Sequence, residues 1–194
     1  MLCDRLKTAL AALSPLGIIE TDHAQKGFAI DVQVAPEQVV YVAELVSQEG
    51  FFIEAVTGVD WFGEQAAIAA EAAKAKEAAA KKAAAEAAEA GEDAATPEPA
   101  APADEPEVEL PPDVLEVVYD FSHYEESCRV VMRTRIPRDN PEVPTISSVY
   151  QGANWHERET HDFFGIRFLG HPDLTPLLLP EDADFHPLLK DFKA

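Results

Sequence analysis

The sequence has few cysteines and no glycine-rich phosphate loop, and each shortage excludes a kind of site. Only Cys3 and Cys128 are present among 194 residues. An iron–sulfur cluster ordinarily takes four cysteine ligands, so the chain cannot hold such a cluster alone. Two cysteines so far apart imply no disulfide framework, and we expect a reduced, cytosolic setting with Cys128 as a small packing residue. No glycine-rich loop follows a predicted strand, which leaves a nucleotide or flavin site unsupported.

Basic residues and long apolar runs are also scarce. The chain has 15 lysines and arginines against 36 aspartates and glutamates, a formal net charge of −21. Such a surface repels nucleic acid and anionic membranes, so neither is expected as a direct partner. No run approaches the roughly 18 apolar residues of a membrane-spanning helix, and the first residues do not resemble a signal peptide. We therefore expect a soluble chain that reaches a membrane only through partner proteins.

Hydrophobic periodicity predicts an α+β chain. Leucines at helical spacing, proline and glycine as helix boundaries, and alternating apolar residues supply the signals. The predicted helices are 2–13, 36–50 and 145–150, the last with Thr145 as N-cap, and the predicted strands are 17–20, 28–34, 51–56, 115–121 and 128–136. This order predicts a two-layer sandwich of a mostly antiparallel sheet with helices.

Residues 64–113 differ in composition from the flanking segments. The first part is mostly alanine with Glu and Lys, which favours a solvated helix, and the second is rich in Pro, Glu and Ala, which favours a disordered linker. This insert holds thirteen acids and four lysines, or −9 of the total charge. A tolerated low-complexity insertion and a partner-binding arm are both open. The folded domain is then 1–63 together with 114–194.

Two groups of charged residues lie in the predicted sheet. Arg129, Arg133 and Arg135 share one strand face, which could meet an acidic partner or the acids of the neighbouring strand, Glu116 and Asp120. We leave both alternatives open. Asp60, in contrast, is interpreted as a turn residue that caps its own backbone rather than as a site acid.

The densest cluster of charge is residues 154–165, Asn-Trp-His-Glu-Arg-Glu-Thr-His-Asp-Phe-Phe-Gly. In a helix, Arg158 and Asp162 stand at i, i+4 and can pair, and Gly165 is suited to end the helix. We expect the Arg158 guanidinium to be held by the carboxylates of Glu157, Glu159 and Asp162. Charge this dense indicates a structural network or a partner surface.

A zinc hydrolase is the alternative that this stretch suggests, because His156-Glu157 opens like a zincin motif. That motif needs histidines at i, i+4, whereas His161 is at i+5, about 140° around the helix from His156. The two rings cannot converge on one ion from a regular helix. A free-standing hydrolase that uses Glu157 or Glu159 as base with His156 or His161 lacks an identifiable nucleophile. We therefore expect no catalytic, cofactor-binding or metal-binding residue on this chain.

Four segments together resemble a known family. They are Trp155–Glu159, Asp162–Gly165, His171–Leu174 and His186–Phe192, with a weaker match at Val56–Trp61. In this order they resemble the signature of the NuoC family, the 30 kDa-type C subunit of respiratory complex I (NADH-quinone oxidoreductase), which is also found in membrane-bound hydrogenases. The signature positions, expected to form an interface, are Trp155, Glu157, Arg158, Glu159, Asp162, Phe163, Phe164, Gly165, His171, Pro172, Asp173, His186, Pro187, Lys190, Asp191 and Phe192. Thr175-Pro176 stands where the family usually carries arginine.

The resemblance implies a non-catalytic subunit in the peripheral arm of a larger enzyme. That enzyme passes electrons from NADH through FMN and iron–sulfur clusters to quinone, coupled to proton translocation. The implied partners are the quinone-site D subunit and the cluster-bearing B subunit, at the cytoplasmic face of the cell membrane. A hydrogenase is the implied alternative assembly. Beyond Gly170, four prolines with leucines between them predict an extended tail that needs a surface to lie on.

Overall fold

The computed structural model describes residues 2–64, 67 and 113–193. Contacts divide the chain into two units, residues 1–62 with 114–194 and residues 63–113. Nearly all of the second unit, with its predicted solvated helix and disordered linker, lies outside the described residues, so those predictions stay predictions. At its ends the Gly63 N–H donates to the Asp113 carboxylate across 2.9 Å.

Four α-helices are described, and their buried residues follow the periodicity of the sequence. Leu2, Leu6 and Leu10 form the buried face of the first helix. Gly50, with φ of +87°, adopts the left-handed conformation just beyond the third. The helices are α1 (Leu2–Ala12), α2 (His23–Lys26), α3 (Val39–Gln48, after a 3₁₀ turn at Pro36–Gln38) and α4 (Ala153–Phe164). In the described part of the chain, no helix has the length and apolar character that a membrane crossing requires.

The strands form a five-stranded sheet and a separate pair. They are β1 (Gly17–Glu20), β2 (Ile30–Val34), β3 (Phe51–Asp60), β4 (Val114–His123), β5 (Arg129–Pro137), β6 (Glu142–Pro144) and β7 (Arg167–Leu169). The large sheet has the order β1-β2-β5-β4-β3, and β6 pairs with β7. Within the large sheet only β2 and β5 run parallel. The predicted α+β fold with a mostly antiparallel sheet is confirmed.

The hydrophobic core lies on one face of the large sheet. Leu115, Val117, Tyr119 and Phe121, alternate residues of β4, join the buried faces of α1 and α3 in one cluster. The opposite face carries the charged residues between them. Alternation of this kind is expected when helices cover one side of an antiparallel sheet.

On this opposite face, the arginines were expected to meet either an acidic partner or the acids of the neighbouring strand. Arg133 lies 2.9 Å from Asp31 and 3.4 Å from Glu116, and Arg135 lies 3.1 Å from Glu116. Arg129 likewise pairs with Glu54 and Asp120. The acids of neighbouring strands, including the predicted Glu116 and Asp120, neutralise this row of arginines.

Three local predictions were wrong. Residues 145–150 form a hydrogen-bonded turn rather than a helix. Residues 22–27, between the first two predicted strands, contain α2, which Asp22 caps by accepting from the Ala24 N–H. Strand β6 lies in residues 137–144, for which no helix or strand is predicted. Each error concerns an element of three to six residues, for which periodicity carries little information.

The expectation for the cysteines was also wrong. Cys3 and Cys128 form a disulfide, with their Cα atoms 6.3 Å apart and a sequence separation of 125. The Leu2 N–H also donates to Glu126 in the β4–β5 turn. The fold brings the start of α1 onto the start of β5, a proximity that sequence separation alone does not predict.

Candidate functional site

Helix α4 contains the charge-dense stretch, and glycine fixes where it ends. Gly165 has φ of +72° and donates its N–H to His161 O across 2.8 Å. A Cβ at this position would also lie 2.7 Å from the His186 ring. Glycine is therefore needed both for the left-handed turn and for the close approach of the C-terminal tail.

Glu157 of α4 points into the protein and is completely buried. Its carboxylate accepts a hydrogen bond from the Ile146 N–H across 2.8 Å and another from the Thr145 hydroxyl. Burial raises the pKa of Glu157 to about 7, while these two donors act in the opposite direction. Glu157 therefore anchors α4 to the turn that precedes it.

Asp162 is 3% exposed and binds the tail through backbone groups. Its Oδ2 accepts from the N–H groups of Leu177 and Leu178, both across 2.8 Å, and of Leu179 across 3.3 Å. These three N–H groups replace the hydrogen bonds to water that a buried carboxylate loses. Asp162 thus fixes the path of the proline-rich segment, which we call the strap and define as residues 170–193.

Arg158 also binds the strap, which corrects the predicted pairing with Glu157, Glu159 and Asp162. Its guanidinium donates to Thr175 O across 3.0 and 3.1 Å and to Pro176 O across 3.3 Å. The same group lies 5.7 Å from the Trp155 ring centre, a cation–π arrangement. Thr175 and Pro176, which stand where the family usually carries arginine, therefore contact Arg158 mainly through their carbonyl groups.

The histidines of the signature hold the strap as well. His186 Nδ1 lies 2.8 Å from Asp162 O, and the side chain of His171 is buried with Nε2 3.3 Å from Asn154 O. His161 Nδ1 lies 2.9 Å from Ile166 O, and His156 lines a groove between α4 and β3. Among the described residues, no three His, Cys, Asp or Glu side chains are grouped so as to hold a metal ion.

A second anchor, which sequence reasoning missed, lies at the end of the strap. Asp60 is 4% exposed and accepts from the Phe62 N–H, the predicted local cap, but also from Arg138 and from the Lys190 N–H. Arg138 bonds Asp191 as well, across 2.5 Å. Asp60 lies in Val56–Trp61, the segment with the weaker family match, whereas no sequence pattern singles out Arg138.

Helix α4 also packs on the edge strand β3. Gly58 is required there, since a Cβ would lie 2.6 to 3.0 Å from the Phe164 ring. Thr160 donates to Val56 O across 3.2 Å. Beside this contact lies a groove of about 340 Å³, whose lining includes His156, Glu159, Phe163 and Leu188. Glu159 and Phe163, four residues apart on α4, both line this groove.

The strap exposes several large apolar side chains among charged ones, although its backbone is bound. Leu178 is 60% exposed and Leu188 53%, and Phe185 stacks on Phe192 with ring centres 5.6 Å apart. The Leu188 N–H meanwhile donates to Phe163 O across 3.1 Å. Pro172, Asp173, Lys190 and Asp191 are exposed, and Pro187 is half-buried. The structure therefore brings the sixteen signature positions together along α4 and the strap that lies on it.

A family model described as "Respiratory-chain NADH dehydrogenase, 30 Kd subunit" matches residues 32–194. The chain is 45% identical over 82 residues to the C subunit of the F(420)H(2) dehydrogenase of Methanosarcina mazei, covering 42% of this chain and 52% of that protein. It is 46% identical over 77 residues to the NADH-quinone oxidoreductase C subunit of Roseiflexus sp., covering 40% and 44%. With the NADH-quinone oxidoreductase C/D subunit of Chromohalobacter salexigens it shares 41% identity over 86 residues, covering 44% and 14%. The matches span about half or less of these curated relatives.

Two solved structures share the fold. A trypsin-resistant fragment of Nqo5 superposes with a TM-score of 0.54 at 22% identity, covering 90% of this chain and all of that one. A chain of the membrane-bound sulfane sulfur reductase, an archaeal respiratory membrane complex, superposes with a TM-score of 0.63 at 18% identity, covering 100% and 86%. At these identities the likeness concerns the fold alone.

Proposed function

This chain belongs to the 30 kDa subunit family of the respiratory-chain NADH dehydrogenase, and from that premise we propose that it is a peripheral, non-catalytic subunit of a complex I-like quinone oxidoreductase. Its contribution is to dock other subunits through α4 and the strap. The NADH, FMN, iron–sulfur clusters and quinone of the complex would be bound by other chains. The cysteines here fit no cluster, because there are only two and they are bonded to each other.

The observation that carries this proposal is the construction of the strap. A chain segment with exposed leucine and phenylalanine side chains is held by its backbone to Asp162, Arg158 and Asp60. These anchors leave Leu178, Phe185 and Leu188 exposed. Apolar side chains on a segment whose backbone is already held lose little conformational entropy when a partner covers them, which favours a docking role.

We infer that the quinone-site D subunit is the partner on the strap, with the cluster-bearing B subunit as its neighbour. A relative whose name combines C and D in one chain supports the pairing with the quinone-site protein. The cluster-bearing partner and the cytoplasmic face of the cell membrane follow from the family resemblance. The formal charge of −21 favours attachment through proteins rather than directly to anionic lipid.

A complex with another electron donor is the second candidate. The similarity to a chain of an F(420)H(2) dehydrogenase favours it, because that relative is named for a donor other than NADH. A membrane-bound hydrogenase remains the further alternative within the same family. Purification of the native complex through a tag on this chain, followed by assays with NADH, reduced F420 and hydrogen evolution, distinguishes these donors.

A pair of matched substitutions tests the docking role. Leu178→Glu places a charge on the strap, and Leu16→Glu places one at a similarly exposed leucine, 60% against 68%, near the edge of the sheet. We expect Leu178→Glu to reduce recovery of partner subunits with the tagged chain by roughly tenfold or more, since a desolvated charge opposes association. Leu16→Glu should recover them like the wild type. Equal recovery by both variants would remove the strap from the interface.

A further inference from the structure

Glu157 has a property that docking does not explain: a row of hydroxyl groups connects its buried carboxylate to the surface. Thr145, 9% exposed, contacts Glu157 Oε2 through Oγ1. Thr145 Oγ1 lies 2.8 Å from Ser147 Oγ, and Ser147 is half-buried and reaches solvent. The Ser147 N–H also donates to Thr145 Oγ1 across 3.1 Å. Three oxygen atoms therefore form a continuous hydrogen-bonded row from solvent to a fully buried acid.

The hydrogen bonds of this row can run in either direction. Thr145 has a single hydroxyl hydrogen, so it donates either to Glu157 or to Ser147. When Glu157 is ionised, Ser147 donates to Thr145 and Thr145 donates to Glu157. When Glu157 is protonated, its carboxyl donates to Thr145 and Thr145 donates to Ser147. Every group keeps its partners in both arrangements, so a change of protonation needs no movement of the backbone.

The groups that surround Glu157 do not supply a fixed positive charge. The basic group in ion-pair range among the described residues is His171, whose Nε2 is 3.9 Å away. His171 Nδ1 accepts the Asp173 N–H across 3.1 Å, so its proton is on Nε2 and the ring is neutral. Burial, helped by Arg158, lowers the pKa of His171. A neutral neighbour leaves the carboxylate without a partner charge, which favours proton uptake.

Tyr119 of β4 is close enough to Glu157 to interact with its charge. Its hydroxyl group is buried and has no hydrogen-bond partner in the described structure. Burial, and secondarily the negative charge of Glu157, raises the pKa of Tyr119, so this phenol stays protonated. Tyr119 therefore stays uncharged beside Glu157 near neutral pH.

We propose that Glu157 is a buried proton-binding site that exchanges its proton with solvent through Thr145 and Ser147. In uptake, Ser147 Oγ accepts a proton from solvent and passes its own hydrogen to Thr145, which passes its hydrogen to Glu157 Oε2. One proton leaves solvent and one carboxylate becomes a carboxylic acid. The pKa of Glu157, which burial raises to about 7, places this exchange near neutral pH. The site does not depend on what docks on the strap.

Infrared difference spectroscopy of the full chain tests whether the site binds a proton. We expect the carbonyl band of a buried carboxylic acid to appear as pH falls through about 7 and to be absent from Glu157→Gln. A band that persists in Glu157→Gln would assign the proton elsewhere. A wild-type chain in which Glu157 titrates near its ordinary value of 4.5 would overturn the proposal.

The relay is tested separately by following the same band after a rapid pH jump. Ser147→Ala removes the outer hydroxyl but leaves Thr145 on Glu157, so it should slow proton uptake by roughly tenfold or more with a nearly unchanged midpoint. Ser148→Ala, at the exposed neighbouring serine, is the matched control and should behave like the wild type. Ser147→Thr keeps a hydroxyl and should retain the rate. An unaltered rate in Ser147→Ala would exclude the relay.

Discussion

Asp162 and Arg158 show which part of the site the sequence could predict. Their place in a helix ending at Gly165, and their membership in one charged site, follow from spacing and residue type. Their partners do not, because i, i+4 geometry permits a pair without excluding competing groups. Three strap amides meet Asp162 and two strap carbonyls meet Arg158. These partners are 15 to 18 residues away in sequence and become neighbours only in the folded chain.

Asp162→Asn is expected to destabilise the domain through the strap. The substitution keeps a carbonyl oxygen but removes the charge that three amides share, so the free energy of unfolding should fall by about 1–3 kcal/mol. Asp173→Asn, at an exposed strap carboxylate whose hydrogen bonds are with nearby Thr175, is the matched control and should change stability little. Urea denaturation measures both. Equal effects would contradict the anchoring role of Asp162.

Glu157 should make stability depend on pH. Its pKa is about 7 in the folded chain against 4.5 as the ordinary value, so between these values the folded state holds a proton that the unfolded state has released. The contribution to stability is complete below about 4.5, falls as pH rises towards 7 and is absent above it, a change of about 3 kcal/mol. Urea denaturation across this range should show the decline in the wild type and its loss in Glu157→Gln. An identical profile in the variant would assign the pH dependence to other groups.

At the scale of elements, periodicity predicted the long helices and strands because each buries a regular face. Leu2, Leu6 and Leu10 on α1 and the alternating residues of β4 are examples. Strands β6 and β7 have three residues each and exist because they pair across 22 intervening residues. No local sequence pattern indicates that pairing, which explains why neither strand is among the predicted ones.

The contact between β3 and α4 gives a prediction with an internal control. Gly58→Ala introduces a Cβ 2.6 Å from the Phe164 ring, whereas Gly17→Ala introduces one with no atom within 4 Å. Overpacking at Gly58 should lower the free energy of unfolding by about 1–3 kcal/mol, and Gly17→Ala should have little effect. Thermal denaturation of the two variants measures the difference. A Gly58→Ala protein as stable as the wild type would show that the helix can shift away from the strand.

The disulfide ties α1 to β5, and its stabilising effect is measurable. Closing a loop of this length restricts the unfolded chain, so reduction should lower the free energy of unfolding by about 3–5 kcal/mol. Denaturation with and without a dithiol reductant measures the change, and Cys3→Ser should reproduce the reduced value and no longer respond to the reductant. Alkylation and mass measurement that found both thiols free in the untreated protein would contradict the bond.

At the scale of the whole molecule, the sequence predicted a domain with an insert and a tail that requires a surface. Proline density was enough to predict an irregular segment beyond Gly170, and no helix or strand is described there. The first surface that the strap covers is α4 of its own chain, through contacts such as Leu188 N–H to Phe163 O. The side of the strap that faces the helix determines which strap side chains stay exposed. Only those side chains are available to a partner. Composition does not specify that side.

The central claim is that the apolar side of the strap docks this chain into a larger oxidoreductase. The most direct measurement is photo-crosslinking of the native complex, with a benzoylphenylalanine at Phe185 on the strap or at Tyr124 in the β4–β5 turn. Both positions hold exposed aromatic residues, 41% and 90% exposed, so the probe is tolerated at each. We predict a crosslink from position 185 to the quinone-site protein and none from position 124. Crosslinks to that protein from position 124 but not from 185 would contradict the account.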